Sequence, residues 1–252
     1  MHSNTLYSIY ILWLRQIKRY FRSKSRMIGS LGQPILFLVA LGYGLSSTFS
    51  AAGGGSYIQF LAPGIIAMSI LFSAIFSGIE VIWDRQFGFL KETLVAPVPR
   101  WAVMFGRTLG GATTASMQGL IVLVISFFVG FRPELSGIIP ALLFMILIAL
   151  VFTALGTAIA SMIEDMQGFQ LIMNFVVMPV FFLSGALFPL ATAPEALKII
   201  AYFNPLSYGV DGLRTVLTSM ALFNPWTDVA VLAVIAAAFI AIGAWLFGRI
   251  KV

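Results

Sequence analysis

The chain has 252 residues, of which 60% are hydrophobic and only 10% charged, whereas soluble globular chains carry about 25% charged residues. That balance excludes an ordinary soluble domain and describes a single polytopic membrane domain over residues 1–252, with no room for a sizeable soluble one. The net charge of +6 reads as basic cytoplasmic flanks rather than a nucleic-acid surface, and the absence of cysteine excludes disulfide and thiol chemistry.

Residues 1–26 come first. On a helical wheel Leu6, Tyr10, Trp13, Ile17, Tyr20 and Phe21 fall within about 60° of one direction. Arg15, Arg19, Arg22 and Arg26 fall within about 40° of the opposite one. This pattern predicts a helix lying in the headgroup layer, with aromatics in lipid and arginines toward anionic headgroups and cytosol. An ordinary basic flank that anchors topology would carry the same charges. The bases follow an apolar stretch and no small-residue cleavage site appears, so the first span is expected to be an uncleaved signal anchor.

Residues 27–79 form a run of 53 positions without Asp, Glu, Lys, Arg or His. As one helix the run would extend roughly 80 Å, against a hydrocarbon core of about 30 Å. It therefore has to turn back, and Gly53-Gly54-Gly55-Ser56 is the place. Spans are expected at about 27–49 and 57–81, then at 108–131, 138–162, 167–188 and 228–248. The expected fold is an all-α membrane protein with six transmembrane helices. With the N-terminus inside, the inner segments 1–26, 82–107, 163–168 and 249–252 hold twelve bases, and the outer ones hold Arg132, Lys198 and Arg214. Twelve against three predicts that both termini are cytoplasmic.

The inner loop at 82–107 interleaves Phe87, Phe89, Leu90, Leu94 and Val95 with Asp84, Arg85, Lys91 and Glu92. The spacing predicts a short amphipathic helix over 84–95, ended by Pro97 and Pro99. Its apolar face suits a cleft in a partner, and equally the membrane surface. Residues 189–217 are broken by Pro189, Pro194 and Pro205 and read as a re-entrant hairpin. Two short helices are expected there, at 194–203 and 205–217, packed on the outer end of the bundle. Asp211 and Arg214, three apart, are positioned to pair. Gly106 with Gly110, and Gly156 with Ala160, have the small-residue spacing that favours close helix contact.

Several chemistries are missing. Every acid lies at or near an expected span end, so no ion relay can be drawn through the membrane. The only histidine is His2, which leaves no Ser–His dyad or His-ligated zinc inside the spans. No Gly-x-x-x-x-Gly-Lys-Ser/Thr loop is present, so no nucleotide, cofactor or metal is expected on this chain and no residue is assigned a catalytic role. If the protein pumps, another chain supplies the energy. An ATP-independent carrier or channel is the competing expectation.

The stretch Phe89-Leu-Lys-Glu-Thr-Leu-Val-Ala-Pro-Val-Pro-Arg100 resembles the cytoplasmic loop of ABC-transporter permeases of the type-2 exporter family. Pro179-Val-Phe-Phe-Leu-Ser-Gly-Ala-Leu-Phe-Pro189 and Asn204-Pro-Leu-Ser-Tyr-Gly-Val-Asp-Gly-Leu-Arg214 resemble the C-terminal signature of the same family. The blocks occur in the right order and the likeness extends over essentially the whole chain. Among subgroups it is most similar to the drug-resistance, daunorubicin-type and nodulation-type permeases. The resemblance implies a permease dimer, made with a second copy or a paralogue, in the plasma (inner) membrane of a prokaryote. It implies two separate ATPase subunits, which hold ATP and Mg and dock at a coupling helix after span two, with the N-terminal interfacial helix touching them too. Carried onto this sequence, Asp84, Arg85, Phe87, Gly88, Phe89, Leu90, Lys91 and Glu92 are the coupling segment. Pro189, Asn204, Pro205, Asp211 and Arg214 belong to the outer hairpin. The implied activity is export of an amphipathic or lipid-like substrate (a drug, glycolipid or polysaccharide) along spans one, two and five at the dimer interface. The base-free inner turn at Glu164-Asp165 is expected to add little ATPase contact.

Overall fold

The structure, a computed structural model, describes residues 2–51, 55–95 and 98–249. All regular structure in those residues is helical. In chain order come α1 (His2–Arg22), α2 (Lys24–Gly44), α3 (Ser46–Ala51), α4 (Tyr57–Phe76), α5 (Ile79–Gln86) and α6 (Phe89–Val95). Then follow α7 (Arg100–Val129), α8 (Ile138–Met162), α9 (Met166–Phe182), α10 (Glu195–Phe203), α11 (Pro205–Thr218) and α12 (Pro225–Gly248).

Among the described residues, five segments are long and apolar enough to cross a membrane: Met27–Gly44, Tyr57–Gln86, Arg100–Val129, Leu135–Met162 and Pro225–Gly248. The span expected at 167–188 is shorter than that. Its helix α9 has 17 residues, about 26 Å, and ends at Phe182. The chain then turns through Ser184 and Gly185, and Gly185 adopts φ +74, a conformation that favours glycine. Of the glycine reversal expected between the first two spans, residues 52–54 lie outside the described residues.

Helix α4 is the axis of the bundle. It is apolar all round, and most of its side chains are buried among α2, α7, α8 and α11. Its continuation α5 is set off by a kink at Ser77–Gly78, where α8 comes into backbone contact. A Cβ on Gly78 would fall 2.4 Å from the Gly156 carbonyl oxygen, and one on Gly156 would fall 2.5 Å from that of Ile75. The Gly156 spacing seen in the sequence thus seats α8 on the kink.

Two expected boundaries move. The loop expected at 82–107 is mostly helix, because α5 runs to Gln86 and α7 starts at Arg100. Tyr57–Gln86 and Arg100–Val129 each have 30 residues, about 45 Å against a hydrocarbon core of about 30 Å. Both therefore project well beyond it at one end. Helix α1 also stops before residue 26, since Ser23 leaves the helical region at φ −94 and ψ 66 and the chain restarts as α2.

Candidate coupling site

The short helix α5 meets the start of α7 through the Asp84–Arg107 pair, and α1 runs along α7. Gly106 and Gly110 make this contact close: a Cβ on Gly106 would sit 3.0 Å from Leu12 Cβ, and one on Gly110 2.5 Å from Gln16 Cβ. Trp13 Nε1 donates to Thr113 Oγ1 at 3.0 Å and Tyr20 Oη donates to Gln118 Oε1 at 2.8 Å. The aromatic face expected to lie in lipid is therefore divided. Leu6, Tyr10 and Phe21 are exposed, while Trp13 and Tyr20 turn onto α7. The cause is the glycine seam, which draws the helix side onto a protein surface.

The arginine face changes more. Arg15 Nη2 donates to Asp84 Oδ1 at 2.9 Å, and Arg19 reaches Glu80 Oε2 at 3.2 Å and Asp84 Oδ1 at 3.3 Å. From α7, Arg107 Nη2 donates to Asp84 Oδ2 at 2.5 Å. Asp84 retains 2% of its side-chain exposure and Arg107 3%. Burying charges costs several kcal/mol per ion unless each is paired and hydrogen-bonded; three arginines surround the two carboxylates, while Arg107 Nε and Nη1 are buried with no hydrogen-bond partner among the described residues. Burial works against the Arg19 charge, but Glu80 and Asp84 outweigh it and hold its pKa above the usual guanidinium value. Arg15 and Arg19 thus pair with α5 while their side chains stay 37% and 33% exposed. Arg22 remains exposed, and the side chain of Arg26 lies outside the described residues. Arg15, Lys18, Arg19 and Arg22 line an open recess of about 730 Å³ along α1.

The single helix expected over 84–95 is in fact two. Helix α5 ends at Gln86, and the chain turns at Phe87 and Gly88, with Gly88 at φ +80. Helix α6 then begins at Phe89. Asp84 belongs to the buried cluster and not to the projecting surface. Arg85 points the other way and bonds Glu164 Oε1 at 2.5 Å, while Trp83 donates to the sulfur of Met166. The turn at Glu164-Asp165 is therefore a brace for α5, and Asp165 caps α9 by accepting from the Gly168 amide. Beyond the corner, Leu90 is buried, whereas Phe87, Phe89 and Val95 stay exposed. The side chains of Lys91, Glu92 and Leu94 lie outside the described residues. An apolar recess of about 250 Å³ joins Thr93 and Val98 to Tyr7, Ile11 and Leu12 of α1 and Val103 of α7.

At the opposite end of α4 stands the hairpin α10–α11. Asn204 caps α11 by accepting from the Leu206 amide, ahead of Pro205 at the first helical position, and its Nδ2 donates to the Val180 carbonyl at 2.7 Å. The Asp211–Arg214 pair expected from spacing does not form. Asp211 accepts from the amides of Leu222 and Phe223 at 2.9 and 2.8 Å. Arg214 donates to the carbonyls of Phe60 and Gly185 at 3.4 and 3.1 Å. Backbone groups left over by the irregular chain on either side outcompete an i,i+3 ion pair, because unsatisfied amides at membrane depth cost several kcal/mol each. Pro189 opens the short 3₁₀ turn Leu190–Thr192 beside them.

Residues 7–218 match the sequence profile of the ABC-2 type transporter family. The chain belongs to that family. It is 29% identical to Nodulation protein J of Rhizobium leguminosarum bv. viciae over 210 residues, covering 82% of this chain and 81% of that protein. It is 28% identical to the inner membrane transport permease YadH of Escherichia coli K12 over 209 residues, or 81% and 80% of the two chains. It is 30% identical to the putative transport permease ycf38 of Porphyra purpurea over 207 residues, or 79% and 70%. Two of these three relatives are named transport permeases. The buried Arg107–Asp84 node had only one visible sign in the sequence, an arginine that is the sole charge of α7 after its first residue, Arg100.

Proposed function

We propose that the chain is the transmembrane permease subunit of an ATP-driven exporter, docked to separate ATPase subunits at the corner formed by Phe87, Gly88 and Phe89. One observation carries this reading. Apolar side chains protrude at that corner, and the helix leading into it is tied by Asp84 and Glu80 to α1 and α7. A partner that pushes on the corner therefore moves three helices together. The surplus of bases on residues 1–26, 82–107 and 249–252 supports placing this end in the cytoplasm, with α10 and α11 on the outer side. On this reading the protein sits in a prokaryotic inner membrane as a dimer. It exports an amphipathic substrate, and ATP and Mg are held by the ATPases.

Glu80, Asp84 and Glu164 at the cytoplasmic end are bound to arginines, an arrangement that suits mechanical linkage better than proton transfer. The deciding test is co-purification from the native membrane in the ATP-bound state. Wild-type chain is expected to retain a Walker-type ATPase, and Phe87→Ser with Phe89→Ser to lose it. Transport by the purified chain without any ATPase would favour the carrier reading.

A further inference from the structure

Arg214 is 8% exposed. Its guanidinium lies over the Phe60 ring at 3.9 Å, and Nε and Nη2 are held by two backbone carbonyls. Those carbonyls are neutral. Among the described residues no carboxylate is in ion-pair contact with Arg214, and Asp211, one turn earlier, is committed to the Leu222 and Phe223 amides. A charge buried this deeply normally has a counter-charge in contact. Arg214 lines a cavity of about 170 Å³ together with Ser184, Ser207 and Asp211, whose carboxylate is already bonded to the Leu222 and Phe223 amides. Ser207 is 1% exposed and its hydroxyl has no partner among the described residues. Ser207, Asp211 and Arg214 share one face of α11, four and seven residues apart. The loop that Asp211 holds supplies Met220 and Leu222 to the cavity wall. The volume is that of between five and six waters at about 30 Å³ each, enough for a four-oxygen anion.

We propose that this cavity is an oxyanion-binding site, in which the free edge of the Arg214 guanidinium and the Ser207 hydroxyl receive a phosphate-like or carboxylate group. Stacking on Phe60 and two backbone bonds leave the guanidinium few ways to move, so it is organised before the anion arrives. Placing the site on the exit side rests on the export reading. On that reading it selects acidic amphiphiles as cargo.

The chain is naturally free of cysteine, so Ser207→Cys places a single thiol in the cavity. The experiment uses the full chain in nanodiscs of phosphatidylcholine and compares an anionic with a cationic methanethiosulfonate reagent. The anionic reagent is expected to react at least about tenfold faster, since a confined charge concentrates counter-ions by that order. Octyl phosphate or inorganic phosphate is expected to slow the reaction. Protection by octyl phosphate alone identifies an amphiphile, and equal protection by inorganic phosphate identifies a free anion. Adding Arg214→Lys keeps the charge but removes the fork, and should weaken protection about tenfold while the reagent preference survives. An unreactive thiol, no preference between reagents, or no protection by either probe overturns the proposal. No ATPase enters this measurement, so its failure is separate from failure of the export reading.

Discussion

Arg107 donates to Asp84 at 2.5 Å, and Arg85 bonds Glu164 at the same distance, yet the two pairs sit in opposite surroundings. The first is 3% and 2% exposed and the second 26% and 76%. Water and salt screen the second pair, and exposed pairs contribute about 0–1 kcal/mol. Removing one partner of a buried pair instead leaves an uncompensated charge, at about 3–5 kcal/mol.

Asp84→Asn should therefore lower stability by about 3–5 kcal/mol, and Glu164→Gln by less than about 1 kcal/mol. Denaturation of the two variants in the same detergent checks the contrast. Replacing Asp84 and Arg107 together by Leu and Met should recover part of the loss, because the charge then left without its partner is Arg15, whose side chain is 37% exposed. Equal effects of Asp84→Asn and Glu164→Gln would show that the cluster is hydrated.

Gly88 stands at φ +80 with open space around it. Proline locks φ near −65° and cannot make this corner. Gly88→Pro is expected to abolish ATP hydrolysis stimulated through the permease while leaving membrane insertion intact. Gly88→Asn should retain more coupling than Gly88→Val, since asparagine tolerates positive φ and β-branched residues do not. Normal transport by the proline variant would remove the corner from the coupling role.

The seam between α1 and α7 makes a third expectation. Gly110→Val should push α1 away, because its Cβ would meet Gln16 at 2.5 Å. The sign would be red-shifted Trp13 emission in a background where the other four tryptophans are replaced by phenylalanine. Gly29→Ala has nothing within 4 Å and serves as the control. Its expected effect is neutral, or stabilising by up to about 1 kcal/mol as glycine leaves a helix interior.

A fourth concerns the hairpin. Asp211→Asn should loosen the 220–223 segment by weakening two charge-assisted bonds to the Leu222 and Phe223 amides. Faster amide exchange at Leu222 and Phe223, with exchange in α4 unchanged, is the expected outcome. Uniform acceleration across the bundle would mean that the residue supports the whole fold.

Chain chemistry alone determined the membrane class, because a charge-free run of 53 residues has no other solvent. It also located some helix ends, since proline and capping residues act within one turn of where they stand, whereas the ends of α1, α2, α5, α7 and α9 lie several residues from their expected positions. Asn204-Pro205 at the start of α11 is an example. The rotation of each helix about its axis was decided only by tertiary packing. Wheel positions put Arg15 and Arg19 opposite the aromatics, but they could not say which neighbour would face them. Gly106 and Gly110 brought α1 onto α7, and Glu80 and Asp84 then offered the arginines partners that the wheel could not show. Likewise Asp211 and Arg214 had the spacing to pair, and irregular backbone from distant parts of the chain claimed both. Local periodicity fixes which residues share a face. The partner of that face is a long-range property, set by close backbone approach and by the cost of leaving a buried polar group unsatisfied.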